Sequence, residues 1–195
     1  SDSMRTVDML DNGRPVNRLS VVKRQLRQFV AQRAGDRIGL ILFADHAYLM
    51  APLTSDWQTL QSFIDELDFS MAGYLTSIGE AIGLSIKRFS DEGSRQKLLI
   101  LLSDGRDTVG TLSPIAAAKL AAKQQLRIYT IGLGSEVPLD DPLATSDINP
   151  AADLDEATLK QIASETSGRY FRARDPESLA AIYQAIDELE PMETS

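Results

Sequence analysis

The 195-residue chain has no cysteine, one histidine, one tryptophan and only 6% aromatic residues. Without cysteine, disulfide frameworks and thiolate metal sites are excluded, although the redox compartment stays open. No uninterrupted apolar run reaches the length needed to cross a bilayer, and no signal peptide is visible. Positive charge is short as well: the formal net charge of −8 argues against nucleic acid, whose phosphates demand a basic face. There is no glycine-rich phosphate loop, which counts against nucleotide binding. Internal repeats, linkers and low-complexity tracts are also missing. One domain over residues 1–195, with 190–195 as a tail, is the economical reading. An apolar fraction of 43% is ordinary for a globular protein of this size, so a full core is expected.

The chain is organised around Lys97 to Asp107. Five consecutive large aliphatics, Leu98 to Leu102, read as a strand buried on both faces, as in a parallel sheet covered by helices. It ends in Ser103-Asp104-Gly105. In open α/β sheets ligands sit at the carboxyl ends of strands. Asp104 is therefore the first candidate for site chemistry; the bland alternative is that it closes a turn.

Taken in order, Ser1 to Val16 is polar and turn-rich, with a strong turn signal at Asp11-Asn12-Gly13. Asn17 caps a helix with Leu19, Val22, Leu26, Phe29 and Val30 at helical spacing, ended by Gly35. Arg37 to Ala44 is a second buried strand. His46 to Ala51, bounded by Pro52, reads as a short strand antiparallel to it. Asp56 caps a helix carrying Trp57, Leu60, Phe63, Ile64 and Leu67. Ser77 and Glu80 have capping-box spacing at the start of a helix through Ile82, Ile86 and Phe89, leaving the Thr76 hydroxyl free. Ser113-Pro114 opens an alanine-rich helix to about Gln125, and Arg127 to Leu133 is a strand.

Gly134 to Asp153 holds three prolines and five acidic residues without an assignable pattern. So long a loop is usually functional or mobile. Asp155 caps the next helix, with a Leu154–Leu159 staple, and Gly168 ends it. Arg169 to Arg172 is a short edge strand. Asp175-Pro176 caps a last helix with Leu179, Ile182, Tyr183, Ile186 and Leu189 on its stripe. Strands alternating with amphipathic helices give an α/β, doubly wound, mostly parallel sheet with helices on both faces. The first helix has no strand before it, so the fold begins in mid-unit.

Three polar elements are expected to meet at the carboxyl edge: Ser1-Asp2-Ser3, Thr76 and Asp104. Hydroxyls and carboxylates without imidazole or thiolate suit a hard cation such as Mg²⁺, with Mn²⁺ or Ca²⁺ as alternatives. A shell rich in neutral hydroxyls leaves the ion able to accept a carboxylate from a partner. Asp107 reads as a surface turn residue, or else as support for the site. His46, beside Asp45, reads as a solvated turn residue and Trp57 as a helix-packing anchor. The acidic stretch Glu136 to Asp153 follows a strand's carboxyl end and so lies on the rim.

These residues resemble the von Willebrand factor type A domain. Its metal-ion-dependent adhesion site uses Asp-x-Ser-x-Ser, a later Thr and a later Asp. Ser1-Asp2-Ser3-Met4 resembles the Ser-x-Ser half of the first motif, Leu75-Thr76-Ser77-Ile78-Gly79 the threonine loop, and Leu-Leu-Ser-Asp104-Gly the third element. Gly35 to Ala44, with Ala51-Pro52-Leu53-Thr54, further resembles the bacterial membrane-anchored Bat (aerotolerance-type) branch. The resemblance spans Ser1 to about Leu189. It implies metal ligation by Ser1, Ser3, Thr76 and Asp104, and a protein partner offering Asp or Glu. It also implies a membrane-anchored protein with this domain on the periplasmic side, working with other such domains and a MoxR-type ATPase.

The departure from the pattern is informative. The family's first aspartate falls two residues before Ser1, at the end of a central strand that this chain lacks. If the chain begins at Ser1, its free α-amino group, with a usual pKa of about 8, sits beside the proposed metal, and weak Mg²⁺ binding is expected. The absent strand would separate the Arg37 and Lys97 strands. Either these close up, or something else fills the slot. Both chain ends read as cut. The rival function is a Mg²⁺-dependent phosphoryl hydrolase with Asp104 as nucleophile. No histidine or cysteine lies near it and no second acid is clearly placed to assist.

Overall fold

The computed structural model describes residues 9–11, 14–33, 37–44, 47–54, 56–66, 77–89, 97–103, 112–133 and 156–190. In chain order these form β1 (Met9–Asp11), β2 (Arg14–Val16), α1 (Arg18–Gln32), β3 (Arg37–Ala44), β4 (Ala47–Thr54) and α2 (Trp57–Glu66). Then come α3 (Ile78–Phe89), β5 (Lys97–Ser103), α4 (Pro114–Lys123), β6 (Leu126–Leu133), α5 (Glu156–Glu165), β7 (Tyr170–Ala173) and α6 (Pro176–Leu189). β1 and β2 make a small ladder, and the other five strands form one sheet in the order β4-β3-β5-β6-β7. β3, β5, β6 and β7 are parallel, and the edge strand β4 runs antiparallel to β3.

β5 lies at the centre and every one of its residues is buried. Successive side chains of a strand point to opposite faces. Accordingly Leu98, Ile100 and Leu102 join one core and Leu99 and Leu101 the other. The first core is covered by α1, α2 and α6 through Val22, Phe29, Ile64, Leu179 and Ile186. The second is covered by α3, α4 and α5 through Ile78, Ile82, Ala118, Ala121 and Leu159. A strand covered on both sides needs an unbroken aliphatic run, and Leu98 to Leu102 supplies it. The helix starts follow the predicted caps. Asn17 Oδ1 accepts from the Ser20 N–H at 2.8 Å, Asp56 Oδ1 from Gln58 and Thr59, and Asp175 forms a reciprocal capping box with Ser178.

Several local expectations need correction. The opening stretch is not turn alone: Met9↔Val16, Leu10↔Pro15 and Asp11↔Arg14 pair across the Asn12-Gly13 position. Three-residue strands are too short for alternation to reveal them. β4 does not stop at Pro52 but runs to Thr54. Its register slips there, Ile38 pairing with Thr54 and Leu40 with Ala51, and a bulged edge strand tolerates a proline. Leu189 is not on the buried stripe of α6; it is 43% exposed. At the end of α5 the left-handed residue is Ser167 (φ 58), and Gly168 is needed for a different reason. The Gly168 N–H donates to the Ala163 carbonyl at 2.9 Å, and any Cβ at Gly168 would overlap the Ile128 carbonyl oxygen.

The two strands expected to flank a missing one have closed up. β3 and β5 pair directly at seven positions, from Arg37↔Lys97 to Phe43↔Ser103. Among the described residues, no strand of this sheet precedes α1.

On α6 the Tyr183 ring stacks on Phe29 at 5.0 Å, but its hydroxyl is buried without a hydrogen-bond partner among the described residues. An unsatisfied buried hydroxyl carries a desolvation cost, and the same burial raises its pKa. Tyr183→Phe is therefore expected to leave unfolding free energy unchanged or raise it by up to about 1 kcal/mol. A urea titration showing a clear loss would mean that the hydroxyl does have a partner.

Candidate functional site

Parallel strands in register deliver their loops to one edge. Phe43 of β3 pairs with Ser103 of β5, and Ser103 with Gly132 of β6. The helices on the second face return the chain to the other edge. α4 ends at Lys123, and only Gln124 and Gln125 separate it from β6, with Gln125 in the left-handed region (φ 56). The start of α4 therefore lies back at the carboxyl edge.

The start of α3 lies against it. A Cβ on Gly79 would overlap the carbonyl oxygen of Leu112, and would come within 2.9 Å of its carbonyl carbon and 3.0 Å of the Pro114 nitrogen. The Ser77 hydroxyl caps α3, accepting from the Glu80 N–H at 3.2 Å, which is one half of the expected capping box. Ser77 and Ser103 are both fully buried.

Thr76 immediately precedes Ser77, and Asp104 immediately follows Ser103. Ser1, Ser3, Thr76 and Asp104 themselves lie outside the described residues. So do Asp2, His46, Asp107, the Leu154–Asp155 helix entry, the Glu136 to Asp153 stretch and the side chain of Trp57. Among the described residues no group of three or more His, Asp or Glu could hold a metal. The candidate donors, three hydroxyls and a carboxylate, are hard oxygens that match a hard divalent cation. The amino-terminal ends of α3 and α4 both bring partial positive charge to the same edge, which favours carboxylates arriving there.

Two further polar clusters had no local signal in the sequence. At the opposite, amino edge, Glu190 is almost wholly enclosed, its side chain only 2% exposed. Its Oε1 accepts from the Tyr129 hydroxyl at 2.8 Å and pairs with the Arg127 guanidinium. Its backbone carbonyl accepts from Arg33 Nη2 at 2.6 Å, while Arg33 Nη1 donates to Asp187 Oδ1 at 2.8 Å. Burial, reinforced by the bond to Glu190, pushes Tyr129 up to about 12. The bond to Glu190 raises Arg127 further. The cluster fastens the end of α6 to α1 and β6.

The second cluster is Glu156, at the start of α5, with Tyr170 and Arg172 of β7. Glu156 Oε1 accepts from the Tyr170 hydroxyl at 2.8 Å and from Arg172 Nη1 at 2.7 Å. The Tyr170 bond, helped by the Arg172 charge, holds Glu156 below the usual carboxylate range against the effect of burial. Burial above all, with the bond to Glu156, pushes Tyr170 up to about 12. This fixes the start of α5 to β7.

A family described as von Willebrand factor type A domain matches residues 1–185. The solved structure of BatB from Bacteroides thetaiotaomicron is similar at a TM-score of 0.72 with 26% identity, covering 97% of this chain and 94% of that one. An aerotolerance-related membrane protein from Bacteroides fragilis is similar at 0.68 with 24% identity, covering 94% and 92%. Proximal thread matrix protein 1 from the mussel byssus, solved with a zinc-occupied MIDAS motif, shares the fold at 0.62 with 19% identity, covering 88% and 42%. Curated relatives called UPF0353 proteins are 24–29% identical. The chain spans a little over half the length of the curated relatives it matches, from 53% to 59%. No helix among the described residues is long and apolar enough to cross a membrane.

Proposed function

The chain belongs to the von Willebrand factor type A family, and from that premise we propose that it is a protein-interaction module whose carboxyl edge holds a divalent cation. Family members are generally adhesion and interaction modules, so the proposed output is binding, not turnover. The ligands are the hydroxyls of Ser1, Ser3 and Thr76 and the carboxylate of Asp104. Mg²⁺ is the proposed ion, with Mn²⁺ or Ca²⁺ as substitutes. When bound, the ion supplies positive charge and an open position for an Asp or Glu side chain of the partner. The contact between Gly79 and Leu112 supports the reading best, because it sets the first turn of α3, two residues past Ser77, against the entry to α4 at the carboxyl edge where β5 ends in Ser103.

Similarity to BatB and to the aerotolerance-related membrane protein supports a place in a bacterial membrane-associated complex. Within that proposal the domain faces the periplasm, and its partners are other von Willebrand factor type A proteins and a MoxR-type ATPase. Because the family's first aspartate falls upstream of Ser1, residues 1–195 alone bind Mg²⁺ weakly. Titration calorimetry is expected to give no micromolar Mg²⁺ binding for residues 1–195 and a clear gain for a form extended upstream through that aspartate. Micromolar binding by residues 1–195 alone would remove the argument for impairment. A metal-dependent pull-down without phosphatase turnover would support the module, whereas turnover would support an enzyme.

A further inference from the structure

Arg37 and Lys97 start β3 and β5 in register, and Lys97 pairs in turn with Leu126 at the start of β6, which defines the amino edge of the sheet. Helices that begin at the carboxyl edge end here. Lys87 lies in the last turn of α3, and Lys119 and Lys123 lie one turn apart at the end of α4. Arg169 directly precedes β7, its carbonyl accepting from the Thr130 N–H at 3.1 Å. All four of these cations are exposed. So are Leu120, between two of them, at 47%, and Leu189, the last residue of α6, at 43%. The neighbour of Leu189, Glu190, pairs with Arg127 in β6, which places that helix end at the same edge. Leu120 and Leu189 are the large hydrophobics left exposed among the described residues.

Cations suit the carboxyl ends of helices, which accounts for Lys87 and Lys123 but not for Arg169 or the two leucines. We propose that the amino edge rests on an anionic bilayer surface, where the lysine and arginine heads meet lipid phosphates and the leucines enter the headgroup boundary. This rests on the membrane-associated reading above and gives it an orientation. The carboxyl edge, with its candidate cation site, then points away from the bilayer and toward a protein partner. Leu120 is on α4 and Leu189 on α6, helices that cover opposite faces of the sheet. An acidic protein would satisfy the cations, whereas a planar apolar boundary under a charged layer takes the cations and both leucines together. The acids at this edge do not cancel its cations. Asp187 and Glu190 are engaged by Arg33 and Arg127, which leaves Glu165 and Glu188 to oppose docking. The chain carries a net charge of −8, but acidic charge at the carboxyl edge acts weakly here. The seven residues of β5 hold the two edges about 20 Å apart, and screening at physiological salt sets in over about 8 Å.

Residues 1–195 are sedimented with vesicles of equal parts phosphatidylglycerol and phosphatidylcholine, and with vesicles of phosphatidylcholine alone. Binding is expected to the anionic vesicles only, half-complete at about millimolar lipid and weakened by added salt. Each cation at the surface contributes roughly fivefold, so Lys119→Gln combined with Lys123→Gln lowers the affinity roughly 25-fold. Leu120→Gln lowers it severalfold, and Glu188→Lys raises it by roughly fivefold or more. Lys160→Gln is the control: it removes an exposed cation in the first half of α5, toward the carboxyl edge, and leaves binding unchanged. All these positions are exposed, and native circular dichroism checks that each variant is folded. Equal binding to both vesicles, no binding to either, or a Lys160→Gln loss matching the double variant overturns the proposal. Binding of soluble polyglutamate in place of vesicles, lost in the double variant, overturns it in favour of an acidic protein. The membrane-associated reading is judged separately, by whether the full-length protein sediments with cell membranes. Vesicle binding by residues 1–195 needs no anchor, so the docking face can fail while that reading holds, and the reverse.

Discussion

Glu190→Ala is expected to lower the free energy of unfolding by about 1–3 kcal/mol, the cost of leaving a buried donor without its acceptor. The carboxylate is enclosed and serves both the Tyr129 hydroxyl and the Arg127 guanidinium. Its removal leaves a buried phenol without an acceptor and a partly buried cation without its counter-charge. An unmet buried donor alone costs about 1–3 kcal/mol. The backbone carbonyl that receives Arg33 also sits on this residue. Any shift of the helix end toward the vacated space therefore strains a second buried bond. Glu188→Ala, an exposed position two residues away, is the control and should stay within about 0.5 kcal/mol of the unaltered chain. Denaturant titrations followed by circular dichroism measure both. A Glu190→Ala loss no larger than that of Glu188→Ala would falsify the view that this cluster anchors α6.

That cluster also shows where reading the sequence stops. The core strands are visible in the sequence because burial on both faces forces an unbroken aliphatic run, as in Leu98 to Leu102, and burial on one face of a helix forces a stripe. Caps are visible because Asn17, Asp56, Ser77 and Asp175 satisfy orphan N–H groups within a few residues. All these are local. Arg33 and Glu190 are 157 positions apart and Arg127 and Glu190 are 63 apart, so no local pattern joins them. The glycines divide the same way. Gly168 was readable as a helix end, but its obligatory role comes from Ile128, a contact made only by the folded sheet. Gly79 was readable through the family motif, and its contact with Leu112 adds the physical reason for a glycine there. As for the candidate site, Thr76 and Asp104 offer hard oxygen donors by residue type alone, and both lie outside the described residues. The structure contributes the edge to which their neighbours Ser77 and Ser103 belong.

Ile100→Ala and Leu101→Ala are each expected to cost about 2–5 kcal/mol, because both side chains are fully buried and their removal leaves cavities in packed cores. The informative experiment is the double variant. Neighbours in sequence usually couple, since they share contacts. Here Ile100 belongs to the core under α1, α2 and α6, and Leu101 to the core under α3, α4 and α5. The two cores have no residue in common and are separated by the backbone of the sheet itself. The two losses should therefore add to within about 0.5 kcal/mol. A domain's total stability is only about 5–15 kcal/mol, so the sum approaches the whole of it. Each single variant should fold with a lowered denaturant midpoint, and the double should be largely unfolded without denaturant. Strong non-additivity would mean that β5 transmits repacking from one face to the other. Because β5 pairs directly with both β3 and β6, such a strand shift would travel along its register to Ser103 and so to the edge where Asp104 begins. Additivity would instead make the two faces independent supports of that edge.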